Sequence, residues 1–147
     1  MKPGRQARVL VVDDEARNRD FLEQALVRFG NEVVLAEDGQ EALAEVKRQR
    51  PDLVLLDIAM PRMNGLDVCR ALKSDPTTRL IPVVLLTALG DRETRIAGLE
   101  AGADDFFDKP FDLWELTTRI RALLNLKGFT DKLVNSLAVA VRGGESR

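Results

Sequence analysis

Apolar residues along this chain fall into two patterns: short continuous runs, and stripes spaced three and four residues apart. Val9–Val12, Glu32–Ala36 (through Val33, Val34 and Leu35), Leu53–Leu56 and Val83–Leu86 carry the runs. Short runs without polar alternation are what strands buried on both faces show. Phe106 and Phe107 suggest a fifth, shorter strand. Between the runs stand helical stripes: Phe21, Leu22, Ala25, Leu26 and Phe29; then Ala42, Leu43 and Val46; then Leu66, Cys69 and Leu72. Ile96, Leu99 and Ala103 mark a weaker fourth helix, and Leu113, Leu116, Ile120, Leu123 and Leu124 a fifth. Breakers sit between the elements. Gly30 takes a helix C-terminal position, Asp38-Gly39 a turn and N-cap, and Asp75-Pro76 the end of the third helix. Pro82 opens the fourth strand, Gly102 closes the fourth helix, and Lys109-Pro110 ends the fifth strand. Five strands alternating with five helices predict an α/β fold, a doubly wound parallel sheet covered on both faces.

Beyond Leu126 the pattern changes. Phe129, Leu133, Leu137 and Val141 continue at helical spacing, interrupted by Gly128, and Gly143-Gly144-Glu145-Ser146-Arg147 reads as a frayed end. Residues 7–126 are expected to form one domain and 127–147 a C-terminal helical extension or linker. Val134–Val141 could join two protomers as a coiled coil.

Charge appears where the strands stop. Asp13 and Asp14 follow the first strand, Asp57 the third, Thr87 the fourth and Lys109 the fifth. Open parallel sheets bind ligands outside the carboxyl ends of their strands. A strand order of 2-1-3-4-5 would make these four strands contiguous. Asp57 is followed by Met60-Pro61 and Asn64-Gly65, so its carboxylate stands at the mouth of a loop. Three carboxylates at one rim repel unless a cation neutralises them, and a hard ion such as magnesium suits such oxygen donors. Asp57 is best placed to attack phosphorus, since aspartate forms acyl phosphates. Magnesium, Lys109 and the Thr87 hydroxyl would neutralise the transferring oxygens.

The bulk numbers narrow the classes. A chain of 147 residues with 45% hydrophobic and 31% charged residues suits one globular domain plus a short appendage. A net charge of -2 gives no reason to expect nucleic-acid or membrane-surface binding. No apolar run approaches the ~20 residues of a membrane span. The basic N-terminus precedes only four apolar residues, too few for a signal peptide. The single cysteine, Cys69, fits a reducing cytoplasm and is expected to be inert core. Histidine is absent, which removes histidine metal sites, Ser-His and Cys-His pairs and histidine as general base. No G-x-G-x-x-G follows the first strand and no Gly-x-x-x-x-Gly-Lys loop is present, which excludes the usual dinucleotide and nucleoside triphosphate cradles. Haloacid-dehalogenase-type phosphatases carry a second aspartate two residues after the nucleophile, where this chain has Ala59.

Taken together, Asp13-Asp14, Asp57 with Met60-Pro61 and Gly65, Thr87-Ala88 and Lys109-Pro110-Phe111 resemble the receiver domain of bacterial two-component response regulators. The likeness covers roughly residues 7 to 126 and implies a flavodoxin-like (βα)5 fold of order 2-1-3-4-5. It implies that Asp57 accepts phosphate from a histidine on a partner kinase or phosphotransfer protein. Asp14 and Asp57 would bind Mg2+ directly with the Ala59 backbone carbonyl, and Asp13 mainly through water. Thr87 and Lys109 would contact the phosphoryl group, Phe106 would be the coupled switch aromatic, and Lys109-Pro110 would be cis. A homodimer would use the face of the fourth helix, fifth strand and fifth helix, or the C-terminal extension.

Two positions depart from the commoner pattern of that family. Ala59, two after the phosphoacceptor, and Leu89, two after the hydroxyl, border the path of hydrolytic water. Neither side chain can hydrogen-bond it, so a comparatively long-lived phosphoryl group is expected. Alternatives to a switch are a constitutive dimerisation or scaffold module, a phosphatase acting on external substrates, or the N-terminal regulatory part of a longer cyclic-di-GMP enzyme. Leu133–Arg147 resembles the segment leading into an HD-GYP phosphodiesterase domain, whose histidine-dependent catalytic part this chain does not contain.

Overall fold

The computed structural model describes residues 6–88 and 92–145. Elements alternate along the chain as β1 (Arg8–Val12), α1 (Ala16–Arg28), β2 (Glu32–Ala36), α2 (Gly39–Arg48), β3 (Leu53–Asp57) and α3 (Gly65–Ser74). They continue as β4 (Val83–Ala88), α4 (Arg92–Ala101), β5 (Asp105–Lys109) and α5 (Leu113–Glu145). All neighbouring strands are parallel, in the order β2-β1-β3-β4-β5. The flavodoxin-like α/β fold expected from the sequence is the fold observed.

Period-two alternation sorts each strand's side chains onto two cores. Leu10, Val12, Val54, Leu56, Val83 and Leu85 face one side, against α2, α3 and α4. Val9, Val11, Leu53, Leu55, Val84 and Leu86 face the other, against α1 and α5. Cys69 lies buried on the first side beside the Ala101 carbonyl oxygen, and burial pushes its thiol up to about 11. It is core, as expected.

The helical stripes are only partly the buried faces. On α1, Leu22, Ala25 and Leu26 are buried, while Phe21 and Phe29 stand exposed. Phe29 instead meets Trp114 edge-on at 6.4 Å between ring centroids. On α4 the expected Ile96 and Leu99 are exposed, and the helix packs through Gly98 and Ala101. The cause is Phe106: a Cβ at position 98 would lie 2.4 Å from its ring. A small residue therefore marks the inner face of this helix, and the large apolar ones point to solvent.

Gly128 does not interrupt the last helix. α5 runs unbroken for 33 residues through the expected boundary at 126/127, a length of ~50 Å at 1.5 Å per residue. A glycine inside a helix costs about 0.5–1 kcal/mol, too little to end one without other breakers. Lys127 donates to Asp131 at 2.6 Å and Thr130 to the Leu126 carbonyl, spanning the glycine from both sides. Leu126, Leu133, Val134 and Leu137 are exposed on this helix. The side chains of Phe129 and Val141 lie outside the described residues, as do Leu89, Ser146 and Arg147. Among the described residues no helix is long and apolar enough to cross a membrane.

Candidate functional site

Sheet register brings the strand ends together. Val12 pairs with Leu56 and Asp57 with Leu86, so Asp13 emerges beside Asp57 at the same rim. Ala88 pairs with Lys109 and Thr87 with Asp108, which brings the ends of β4 and β5 to the same edge. Asp57 is 4% exposed and Asp13 0%, while Asp14 is exposed. One carboxylate oxygen from each of the three lies within 4.8 Å of the others.

The loop after Asp57 is folded back by local sequence. Gly65 donates its amide to the Ile58 carbonyl at 3.0 Å, and a Cβ there would sit 2.4 Å from the Asp57 backbone oxygen. Only glycine permits that approach. Asn64 caps α3 by accepting from the Asp67 amide at 3.0 Å, with Asp67 reciprocating on the Asn64 amide. Ala59, two residues after Asp57, is exposed in this turn.

Lys109 Nζ donates to Asp57 Oδ1 at 3.1 Å and lies 3.6 Å from Asp13 Oδ2. The Lys109-Pro110 bond is cis. Asp13 Oδ1 accepts the Glu15 amide at 2.9 Å, and Arg19 donates to the Asp13 carbonyl at 2.7 Å. Asp13 does not cap α1, whose N-cap is Glu15. Among the described residues, the buried Asp13 Oδ2 has no partner at hydrogen-bond distance and meets Lys109 as an ion pair at 3.6 Å. A buried carboxylate oxygen without a donor is costly. Clustered hard oxygens with one unsatisfied member fit a magnesium-type cation by their chemistry.

Burial pushes the Asp57 carboxyl above its ordinary value, and the charges of Asp13 and Asp14 push the same way. The Lys109 hydrogen bond and charge oppose this without cancelling it. Burial alone would lower the Lys109 ammonium, but the Asp57 bond and charge, with Asp13, carry it above its ordinary value. Lys109 is thus a fixed cation at the site.

Thr87 is buried at the same edge, but its hydroxyl donates to Asp108 Oδ1 at 2.9 Å. Asp108 Oδ2 accepts from Arg95 of α4 at 2.5 Å. Phe106 is half-buried, its ring against Gly98 and beneath the Arg95 guanidinium at 6.0 Å. Asp108 and Arg95 were missed in the sequence because Asp108 stands next to the more conspicuous Lys109 and Arg95 among other charged residues of α4. The signal available was the i, i+2 spacing of Asp108 from Phe106, which puts both on one sheet face.

Comparison with known proteins agrees with this arrangement. The response regulator receiver domain model matches residues 9–121. Response regulator PleD of Caulobacter vibrioides is 53% identical over 127 residues, covering 86% of this chain but only 28% of PleD. A solved signal receiver domain of a signal transduction histidine kinase from Syntrophus aciditrophicus superimposes with a TM-score of 0.77 at 37% identity, over 81% of this chain and 90% of that one. NtrX from Brucella abortus gives a TM-score of 0.81 at 32% identity, over 89% of this chain and 29% of NtrX. In PleD and NtrX the matched region is one part of a longer protein. Fold, strand-end carboxylates and sequence identity agree over most of the chain, which therefore belongs to the response regulator receiver domain family.

Proposed function

We propose that Asp57 accepts a phosphoryl group from the phosphohistidine of a partner kinase or phosphotransfer protein, switching the surface of α4, β5 and α5. The observation that carries this is Asp57 itself: a buried carboxylate at a strand end, bonded to Lys109, with Asp13 and Asp14 converging on it. An Asp57 oxygen attacks phosphorus, the P–N bond breaks, and its electron pair leaves on the imidazole, which takes up a proton. Lys109 holds the attacking carboxylate and meets charge on the transferring oxygens. Magnesium, for which Asp14, Asp57 and the Ala59 carbonyl are the holders with Asp13 beside them, would supply further charge neutralisation. Thr87 would turn its hydroxyl to the bound phosphoryl group, and Phe106 would move with it, a population shift between two arrangements.

Room for the donor lies beside the site. A hollow of about 280 Å3 is lined by Asp13, Asn18, Phe21, Lys109, Pro110 and Phe111, with Phe21 exposed at its rim. It suits a partner helix carrying a histidine. The only chemistry proposed is on the chain's own carboxylate, so the module is a signalling switch, acting in the cytoplasm where Cys69 stays reduced.

The length of α5 favours a second reading, a scaffold that assembles through Leu126, Leu133, Val134 and Leu137 whatever the state of Asp57. The 28% coverage of PleD favours placement of such a module within a longer protein, where a cyclic-di-GMP enzyme is one candidate output. Magnesium with acetyl phosphate or beryllofluoride separates switch from scaffold, read by intact mass and sedimentation beside Asp57→Asn. Modification at Asp57 that changes association supports the switch. Association indifferent to the phosphodonor and to Asp57→Asn supports the scaffold.

A further inference from the structure

The Thr87 hydroxyl carries one proton, and in this structure Asp108 takes it. Thr87 and Asp108 are register partners on β4 and β5, and the same carboxylate binds Arg95 of α4 with its other oxygen. Arg95 in turn lies over Phe106, whose ring fills the place a side chain at Gly98 would need. One turn of α4 is therefore gripped at two points by β5, and the nearer grip is shared with Thr87. The hydrogen bonds from Thr87 and Arg95 hold the Asp108 carboxyl below its ordinary value, so it stays an ionised acceptor.

We infer that Asp108 is a positioning residue: it holds the Thr87 hydroxyl away from the phosphoacceptor and, through Arg95, ties the placement of α4 to that choice. The inference rests on the reading of Asp57 and Thr87 given above. A hydroxyl donating to Asp108 cannot donate the same proton to a phosphoryl oxygen on Asp57. Phosphorylation must win the proton from Asp108. Once Thr87 leaves, Asp108 keeps Arg95 but not its bond to β4, and α4 loses the part of its anchorage that ran through that strand. The three participants stand on three elements: the β4–β5 register pairs Thr87 with Asp108, and the packing of α4 brings Arg95 to the same carboxylate.

The test measures beryllofluoride affinity with magnesium, alongside thermal melting, for Asp108→Ala, Asp108→Asn and Arg95→Ala. Releasing Thr87 should tighten beryllofluoride binding in Asp108→Ala by about three- to tenfold, the size of one net hydrogen bond. Asp108→Asn keeps an acceptor for Thr87 and should tighten less. A residue with a merely structural role would weaken binding when removed. In a Thr87→Val background, Asp108→Ala should change the affinity less than twofold, because no hydroxyl remains to release. Arg95→Ala and Asp108→Ala combined should do no more than Asp108→Ala alone. Unchanged or weaker binding in Asp108→Ala overturns the inference, as does a full effect in the Thr87→Val background. If the unaltered chain takes up no beryllofluoride in an Asp57-dependent way, the phosphoacceptor reading itself fails and the latch falls with it.

Discussion

Asp57 and Asp108 both stand at the carboxyl ends of sheet strands, each against one basic side chain, and their surroundings drive them in opposite directions. Asp57 is buried among like charges, and its carboxyl is pushed up although Lys109 bonds it at 3.1 Å. Asp108 is half-exposed, accepts from Thr87 and Arg95, and is pulled down. A cation at hydrogen-bond distance does not by itself decide a carboxylate's chemistry. Desolvation and neighbouring carboxylates decide for Asp57, and the hydrogen bonds from Thr87 and Arg95 decide for Asp108. One carboxylate is held where its charge is opposed; the other is held where its charge is favoured.

The contrast is broken most completely at Asp57. Asp57→Asn should abolish modification by acetyl phosphate, read as loss of the phosphoryl mass increment. It should also raise the melting temperature near neutral pH, measured by calorimetry. The sign follows from linkage: a carboxyl whose folded pKa lies above its ordinary 3.8 favours the protonated folded state, so its ionised form at neutral pH weakens folding. Asparagine removes that charge, and the loss of the Lys109 bond only partly offsets the gain, since the pKa is raised despite that bond. An unchanged or lower melting temperature would show that Lys109 fully compensates the burial.

Lys109→Ala comes next. Removing the one cation bonded to Asp57 should slow phosphorylation by acetyl phosphate about a hundredfold, the range for loss of a positioned charge-stabilising donor. Stability should fall as well. The Lys109 contribution is present below its ordinary 10.5 and is lost as pH rises through the raised folded value. A loss under threefold in rate would remove Lys109 from the phosphoryl-transfer role.

The two carboxylates can also be compared directly by carboxyl carbon NMR on metal-free protein. Asp57 should titrate above 3.8 and Asp108 below it. Reversal of that order would overturn the electrostatic account of both sites.

The smallest effect is expected at Ala59, exposed two residues after Asp57. Ala59→Asn adds a group that can hold hydrolytic water and should shorten the phosphoryl lifetime by about threefold or more, the size of one hydrogen bond. Radiolabel decay measures it, and an equal or longer lifetime would contradict the expectation of slow hydrolysis.

Much of this molecule is written in its sequence, because short apolar runs with a polar residue at one end have few ways to fold. Val9–Val12 with Asp13-Asp14, Leu53–Leu56 with Asp57 and Val83–Leu86 with Thr87 needed only the order of strands to become one rim. Gly65 was legible as a breaker, though the need for glycine there was not: a Cβ would lie 2.4 Å from the Asp57 carbonyl oxygen. Periodicity was least informative where a neighbour overrode it. Ile96 and Leu99 read as a core face and are exposed, because the Phe106 ring claims the space beside Gly98. Gly128 read as an interruption and lies inside a continuous helix, because one glycine costs less than the turns around it return.

The sequence by itself therefore determined the elements, their parallel stacking and the residues at the strand ends, since these follow from local pattern and chain geometry. Only the tertiary structure decided which of those residues meet. Lys109 reaching Asp57, 52 positions away, depends on β3, β4 and β5 lying side by side, and its approach to the buried Asp13 oxygen on β1 lying beyond β3. Thr87 bonding to Asp108 is set by the alignment of β4 against β5, a relation between residues 21 positions apart that no local pattern encodes.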